Sequence, residues 1–239
     1  MSRNFVRALC VALVAALFSS AASFSSAATI LGPPVPLTDL LVPDATILVG
    51  DKLFEDFTYT PTGDMPPAAG VNVLPIVDTF GNFGIRFQGA FIDTPATLGG
   101  SDALITFNVT ATDPKLLISD AHLAGNTVLR GVGLASVTET FLPLYEDMLV
   151  VFDTPGSHDL QDDVVFDVPV RTLPVQKDIL MLSLGNLHNG DFAIMSFVDQ
   201  TFSQVPDPNY NDIAEPATLG LAGLASLFFG AIYMRRRLG

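Results

Sequence analysis

From about residue 45 to residue 203 apolar and polar side chains alternate with a period of two. Ile105, Phe107, Val109 and Ala111 alternate with Thr106, Asn108 and Thr110, and Ile85, Phe87 and Phe91 share one face of a second segment. Val164, Phe166, Val168 and Val170 oppose Asp167 and Arg171, and Phe192, Ile194 and Val198 share a face near the end of the region. Such alternation predicts strands with one buried side, with Ile105, Phe107, Val109, Val164, Phe166 and Val168 in the core. Pro66-Pro67, Gly99-Gly100, Asp113-Pro114 and Thr154-Pro155-Gly156 punctuate the strands. Asn189-Gly190, between apolar runs at 179–187 and 191–202, predicts a two-residue hairpin. Residues 116–123 and 143–147 could form short helical turns. Many short strands separated by turn signals predict an all-β domain over residues 45–205, an antiparallel β-sandwich of jelly-roll type.

The pattern changes at both ends. Residues 1–28 have the three parts of a secretory signal peptide. Arg3 and Arg7 come first, an apolar stretch from Ala8 to Phe18 follows, and Ser26-Ala27-Ala28 offers a cleavage site after Ala28; one after Ala22 also fits. Residues 29–44, with Gly32-Pro33-Pro34-Val35-Pro36, read as an extended N-terminal arm, and the polar residues 206–213 as a linker stiffened by Pro206 and Pro208. Residues 214–239 open with Ala214-Glu215-Pro216-Ala217-Thr218, continue through an uncharged apolar run at 219–234 and end in Arg235-Arg236-Arg237-Leu238-Gly239. As a helix the run would be roughly 24 Å long at 1.5 Å per residue, enough for a transmembrane span extended by Ala217 and Thr218. The three arginines would stop transfer and stay on the cytoplasmic side.

Glu215-Pro216, the small residue after it, the short glycine-bearing span and the terminal arginines resemble the PEP-CTERM sorting signal of Gram-negative bacteria. Ala214 stands where that motif has its first proline. The resemblance covers the last tenth of the chain. It implies that the membrane enzyme exosortase processes the tail near Glu215-Pro216, after signal peptidase has removed the leader. The protein is then delivered to the cell surface or outside it, often into exopolysaccharide. A permanent single-span anchor is the alternative reading of the same residues.

Processing at both ends changes the charge. The whole chain carries 11 basic and 25 acidic residues, a net charge of −14. The two terminal signals hold five of the basic residues but only Glu215 among the acids, so the domain between them is near −18. A charge of that sign argues against nucleic acid, whose phosphates need a basic face. The single cysteine, Cys10, lies in the leader, which leaves the domain no disulfide, thiolate nucleophile or cysteine metal site.

The sequence contains no nucleophile elbow, zinc-protease helix, P-loop or dinucleotide fingerprint. His122, His158 and His188 are widely separated. Asp159, Asp162 and Asp163, in a glycine-led stretch, could offer hard oxygen ligands to Ca²⁺; a solvated acidic turn is the simpler reading, and no cofactor is expected. Three functions fit these observations: an exported structural protein of the cell surface or matrix, a glycan-binding surface module, and a secreted hydrolase. The first is the primary expectation, and no enzymatic activity is expected.

Overall fold

In the computed structural model, which describes residues 28–97 and 99–210, the alternation becomes strands that pair antiparallel throughout. In chain order these are β1 (Thr29–Ile30), β2 (Val35–Pro36), the single helical turn α1 (Leu37–Leu40), β3 (Thr46–Val49), β4 (Lys52–Pro61), β5 (Val71–Val77), β6 (Phe83–Asp93) and β7 (Ser101–Ala111). There follow β8 (Leu116–Arg130), β9 (Gly133–Thr140), β10 (Met148–Thr154), β11 (Ser157–Asp159), β12 (Gln161–Val170), β13 (Thr172–Ser183), β14 (Phe192–Thr201) and β15 (Gln204–Pro206). One sheet runs β1-β5-β6-β14-β8-β12, with β2 added to β5 and β15 to β8; the other runs β11-β10-β9-β13-β7-β4-β3.

The two sheets face each other across an apolar core. In β7 every second residue from Ser101 to Ala111 is buried, because the strand lies mid-sheet between β4 and β13 and presents only one face to the core. Phe107 is central there. Its ring centroid lies 6.0 Å from Phe54, 5.6 Å from Phe57 and 5.8 Å from Phe87, separations typical of favourable aromatic pairs. Ile105, Phe107, Val109 and Phe166 are buried as the pattern predicts, and Val164 packs half-buried against the core.

Val168 departs from expectation: it is 66% exposed. The cause is register. β12 is an edge strand whose pairing with β8 slips between Val165 and Val170, and a bulge of this kind interrupts the strict alternation of faces. The Tyr145 hydroxyl donates to the Val168 carbonyl there, and Tyr145 stacks on Phe166 at 4.3 Å.

The expected Asn189-Gly190 hairpin does not form. β13 lies between β9 and β7 in one sheet, whereas β14 lies between β6 and β8 in the other. The intervening segment is a corner between sheets, built on a 3₁₀ turn at Leu187–Asn189. The Asn186 side chain accepts from His188 N at 2.9 Å, and Asp191 Oδ2 accepts from Asn186 N at 2.6 Å. Gly190 takes a left-handed φ of 66°, so the dipeptide still turns the chain but as part of a longer connection.

Residues 116–123 are strand, not helix, since they begin β8, and 143–147 hold no helix but the end of a turn at 142–144 followed by irregular chain. The N-terminal arm is not free of the sandwich: β1 and β2 pair with β5, and Leu37 and Leu40 are buried. The start of the linker is likewise docked, with β15 on β8 and Asp207 N donating to Lys115 O at 2.7 Å.

Candidate functional site

Sheet order brings four segments together on the outer face of the first sheet. They are the β5–β6 turn with Asp78 and Phe80, His122 on β8, Gln161 to Asp163 on β12, and Asp199 and Thr201 on β14. They line a cleft of about 170 Å³. This is smaller than the ~300–1,000 Å³ of pockets that engulf a small molecule, so the cleft can take part of a ligand while the remainder lies on the surface.

Asp78 builds the turn. Its Oδ1 accepts from Phe80 N at 2.8 Å and Asn82 N at 2.9 Å, and its Oδ2 accepts from Asn82 Nδ2 at 2.9 Å and Thr201 Oγ1 at 3.0 Å. Asp78 N donates to Asn82 O at 3.0 Å, and Gly81 supplies a φ of 89°. The turn is therefore pinned to β14 as well as closed on itself. At its tip Phe80 is 88% exposed. The ring is carried on a turn whose backbone is fixed by these hydrogen bonds.

The base of the cleft is polar and acidic. His122 Nε2 lies 3.2 Å from Asp120 Oδ1. That contact is the main cause of a raised imidazole pKa; burial opposes it, and the charges of Asp120, Asp78 and Asp163 reinforce it. Burial pushes the Asp120 carboxyl up, but bonding to His122 and Ser203 outweighs it and holds the group below its usual value. Ser203 donates to Asp120 through both its N–H, at 2.7 Å, and its hydroxyl. The carboxylate thus stands between serine and imidazole, which is not the nucleophile–base–acid order of an acyl-transfer triad.

Asp199 is held by Arg86 in a bidentate pair at 2.5 and 2.7 Å, and the guanidinium lies 3.9 Å from the centroid of Phe197. Burial raises the Asp199 pKa against the opposing pull of Arg86. The pair gives the cleft a rigid floor, because a bidentate fork fixes both partners.

Of the residues singled out in the sequence, Asp162 and Asp163 reach this cleft and Asp159 does not. Asp162 accepts from Val150 N at 2.8 Å and from Asp163 N at 3.0 Å, while Asp159 is exposed on β11. They do not converge on one point, and among the described residues no group of three or more His, Cys, Asp or Glu is arranged to hold a metal ion. His158 and His188 are exposed and lie outside the cleft. Ala28 borders it. The leader before Ala28 and the tail residues Ala214, Glu215, Pro216, Ala217, Thr218, Arg235, Arg236 and Arg237 lie outside the described residues.

Phe80 is the functional candidate that strand patterning misses. The signal was local: Asp78, Gly81 and Asn82 are turn formers, and they leave Phe80 no strand face to occupy.

No known protein family matches the sequence, and no curated protein is similar to it. Among solved structures the chain is similar to the carbohydrate-binding module TmCBM61, solved in complex with β-1,4-galactotriose, at 9% identity and a TM-score of 0.30, covering 61% of this chain and 88% of that one. A structure from a study of promiscuous carbohydrate-binding modules of the β-sandwich superfamily matches at 10% identity and a TM-score of 0.23, covering 62% and 56%. The likeness is one of all-β architecture.

Proposed function

We propose that the protein is an exported β-sandwich module that binds carbohydrate at the cleft beside Phe80. The observation that carries this reading is the exposed Phe80 ring held beside a floor of His122, Asp163 and Asp78. A pyranose has an apolar face of C–H groups and a polar rim of hydroxyls. Phe80 offers the flat apolar surface for the first, and the Asp163 carboxylate and the His122 imidazole offer an acceptor and a donor for the second, while Asp78, its oxygens already bonded, holds the turn. The small volume suits one ring of a longer glycan, with the other sugars on the surface. The acidic floor favours neutral sugars over anionic ones, since like charges repel.

The decisive measurement is binding of the domain to a panel of neutral oligosaccharides, followed by calorimetry on those that bind. Phe80→Ala should weaken binding about tenfold or more, equivalent to ~1.4 kcal/mol or above, without lowering the melting temperature, because the ring touches little of the fold. Affinity unchanged in both Phe80→Ala and His122→Ala, or no binding across the panel, would refute the reading.

Delivery belongs to the same proposal. The leader, removed after Ala28, and the tail at Glu215-Pro216, processed by exosortase, would place the domain on the cell surface or in its exopolysaccharide. Intact mass of the native protein tests this: the processed form lacks the arginine tail, and Glu215→Ala with Pro216→Ala should retain it.

A further inference from the structure

Deep between the sheets three polar side chains meet. Lys177 on β13, Glu139 on β9 and Gln200 on β14 are each fully buried. Lys177 and Glu139 are direct cross-strand partners in one sheet. Gln200 reaches them from the opposite sheet, where it is flanked by Ile85 and Leu123. The Lys177 side-chain nitrogen Nζ contacts both Glu139 Oε2 and Gln200 Oε1. Among the described residues Glu139 Oε1 and Gln200 Nε2 have no hydrogen-bond partner.

This is a costly arrangement for ordinary side chains. A buried donor without an acceptor forfeits its hydration, and low dielectric disfavours the charged forms of amine and carboxyl alike. Burial drives the Lys177 pKa well below that of a free lysine, with the charge of Asp199 opposing it. A neutral amine has a free electron pair, and a desolvated lysine is a nucleophile. Its nearest neighbours are a carboxamide carbonyl and a carboxyl group able to carry protons.

We propose that Lys177 and Gln200 become joined inside the folded core by an amide bond between Lys177 Nζ and Gln200 Cδ, with Glu139 as the proton-transfer group. The Nζ electron pair adds to Cδ, and the carbonyl π pair moves onto Oε1. Glu139 takes a proton from Nζ and delivers one to Nε2. The Cδ–Nε2 bond then breaks with its pair on nitrogen, the carbonyl re-forms, and ammonia departs. The balance is amine plus primary amide giving secondary amide plus ammonia, with no change of oxidation state and no co-reactant. The step removes the unpartnered Nε2, and the new N–H stays beside Glu139, which can accept from it.

The bond would cross from one sheet to the other and close the chain between residues 177 and 200. Like a disulfide, it would restrict the unfolded chain more than the folded one. It does not rest on carbohydrate binding at the cleft.

Cyanogen bromide cleavage of the folded full chain, read by mass spectrometry, tests the proposal. Cleavage after Met181 and Met195 puts Lys177 and Gln200 on different peptides. The wild type should give the two peptides as one species, lighter than their sum by one ammonia. Lys177→Arg and Gln200→Leu should give them separately. Glu139→Gln, which keeps the shape and removes the acid, should also give them separately while circular dichroism remains that of a β protein. Separate peptides from folded wild-type protein would overturn the proposal, and a species lighter by one water would overturn it by placing the bond on Glu139. If a variant fails to fold, the wild-type digest still decides.

Discussion

His122 faces three carboxylates, Asp120, Asp78 and Asp163, and its raised pKa is a statement about stability. A group that binds its proton more tightly in the folded state stabilises the fold fully below its unfolded value, ~6.5 for imidazole. That contribution is lost as pH rises through the higher folded value. The melting temperature of the wild type should therefore fall from pH 6 towards pH 8 by a component that His122→Gln lacks; parallel curves for the two proteins would contradict this. Asp102 shows the same sign from a different cause. Burial first, then bonding and repulsion with Asp178, raises its pKa to about 6. At pH 7.5 the folded state must hold two neighbouring carboxylates on the outer face of β7 and β13. Asp102→Asn should thus raise the melting temperature at pH 7.5 and have little effect at pH 5, below the folded value. Neither environment was legible in the chain, because both are made by residues far apart in sequence.

Elements were legible where the strand's own alternation is unbroken. β7 is such a strand: it pairs with β13 without a slip, the irregularity on its other side lies in β4 between Glu55 and Thr58, and its own pattern maps directly onto burial. β12 is not, because its register slip turns Val168 outwards, and nothing in Val164-Val165-Phe166-Asp167-Val168 marks where a partner lets go. The Asn189-Gly190 signal was sound as local turn chemistry and silent about which sheet each strand joins. β14 shows how an irregularity is supported. Its bulge at Ser196 shifts the register on both sides, and Asn126 of β8 fills the gap. Asn126 Oδ1 accepts from Ser196 N at 3.2 Å and Phe197 N at 2.9 Å, and its Nδ2 donates to Ser196 Oγ at 2.6 Å. Replacing Asn126 by Ala leaves those backbone donors to water or to nothing. It should cost about 1–2 kcal/mol in chemical denaturation, with an unchanged m-value.

At the scale of the whole molecule, stability rests on the interface between the sheets. Phe107 touches aromatic rings from β4 and β6 and so belongs to both layers. Phe107→Ala should lower the unfolding free energy by about 3–5 kcal/mol, measured by urea titration; a loss below ~1 kcal/mol would mean that the core rearranges to close the cavity. The all-β class, the antiparallel sandwich and most of the core were readable from alternation. The cleft was not, since it arises only when the sheet order sets β8, β12 and β14 beside the β5–β6 turn.

The position of β14 within its sheet also decides how the domain bears load. Tension entering from the C-terminal side first meets β15, held to β8 by three residue pairs. It then reaches β14, which is bonded along its length to β6 on one flank and β8 on the other. An edge strand can be peeled away one bond at a time, but a strand clamped on both flanks cannot leave until two ladders fail. Pulled by its C-terminal end, the domain would give up its last three-residue strand easily and then resist as a shear joint.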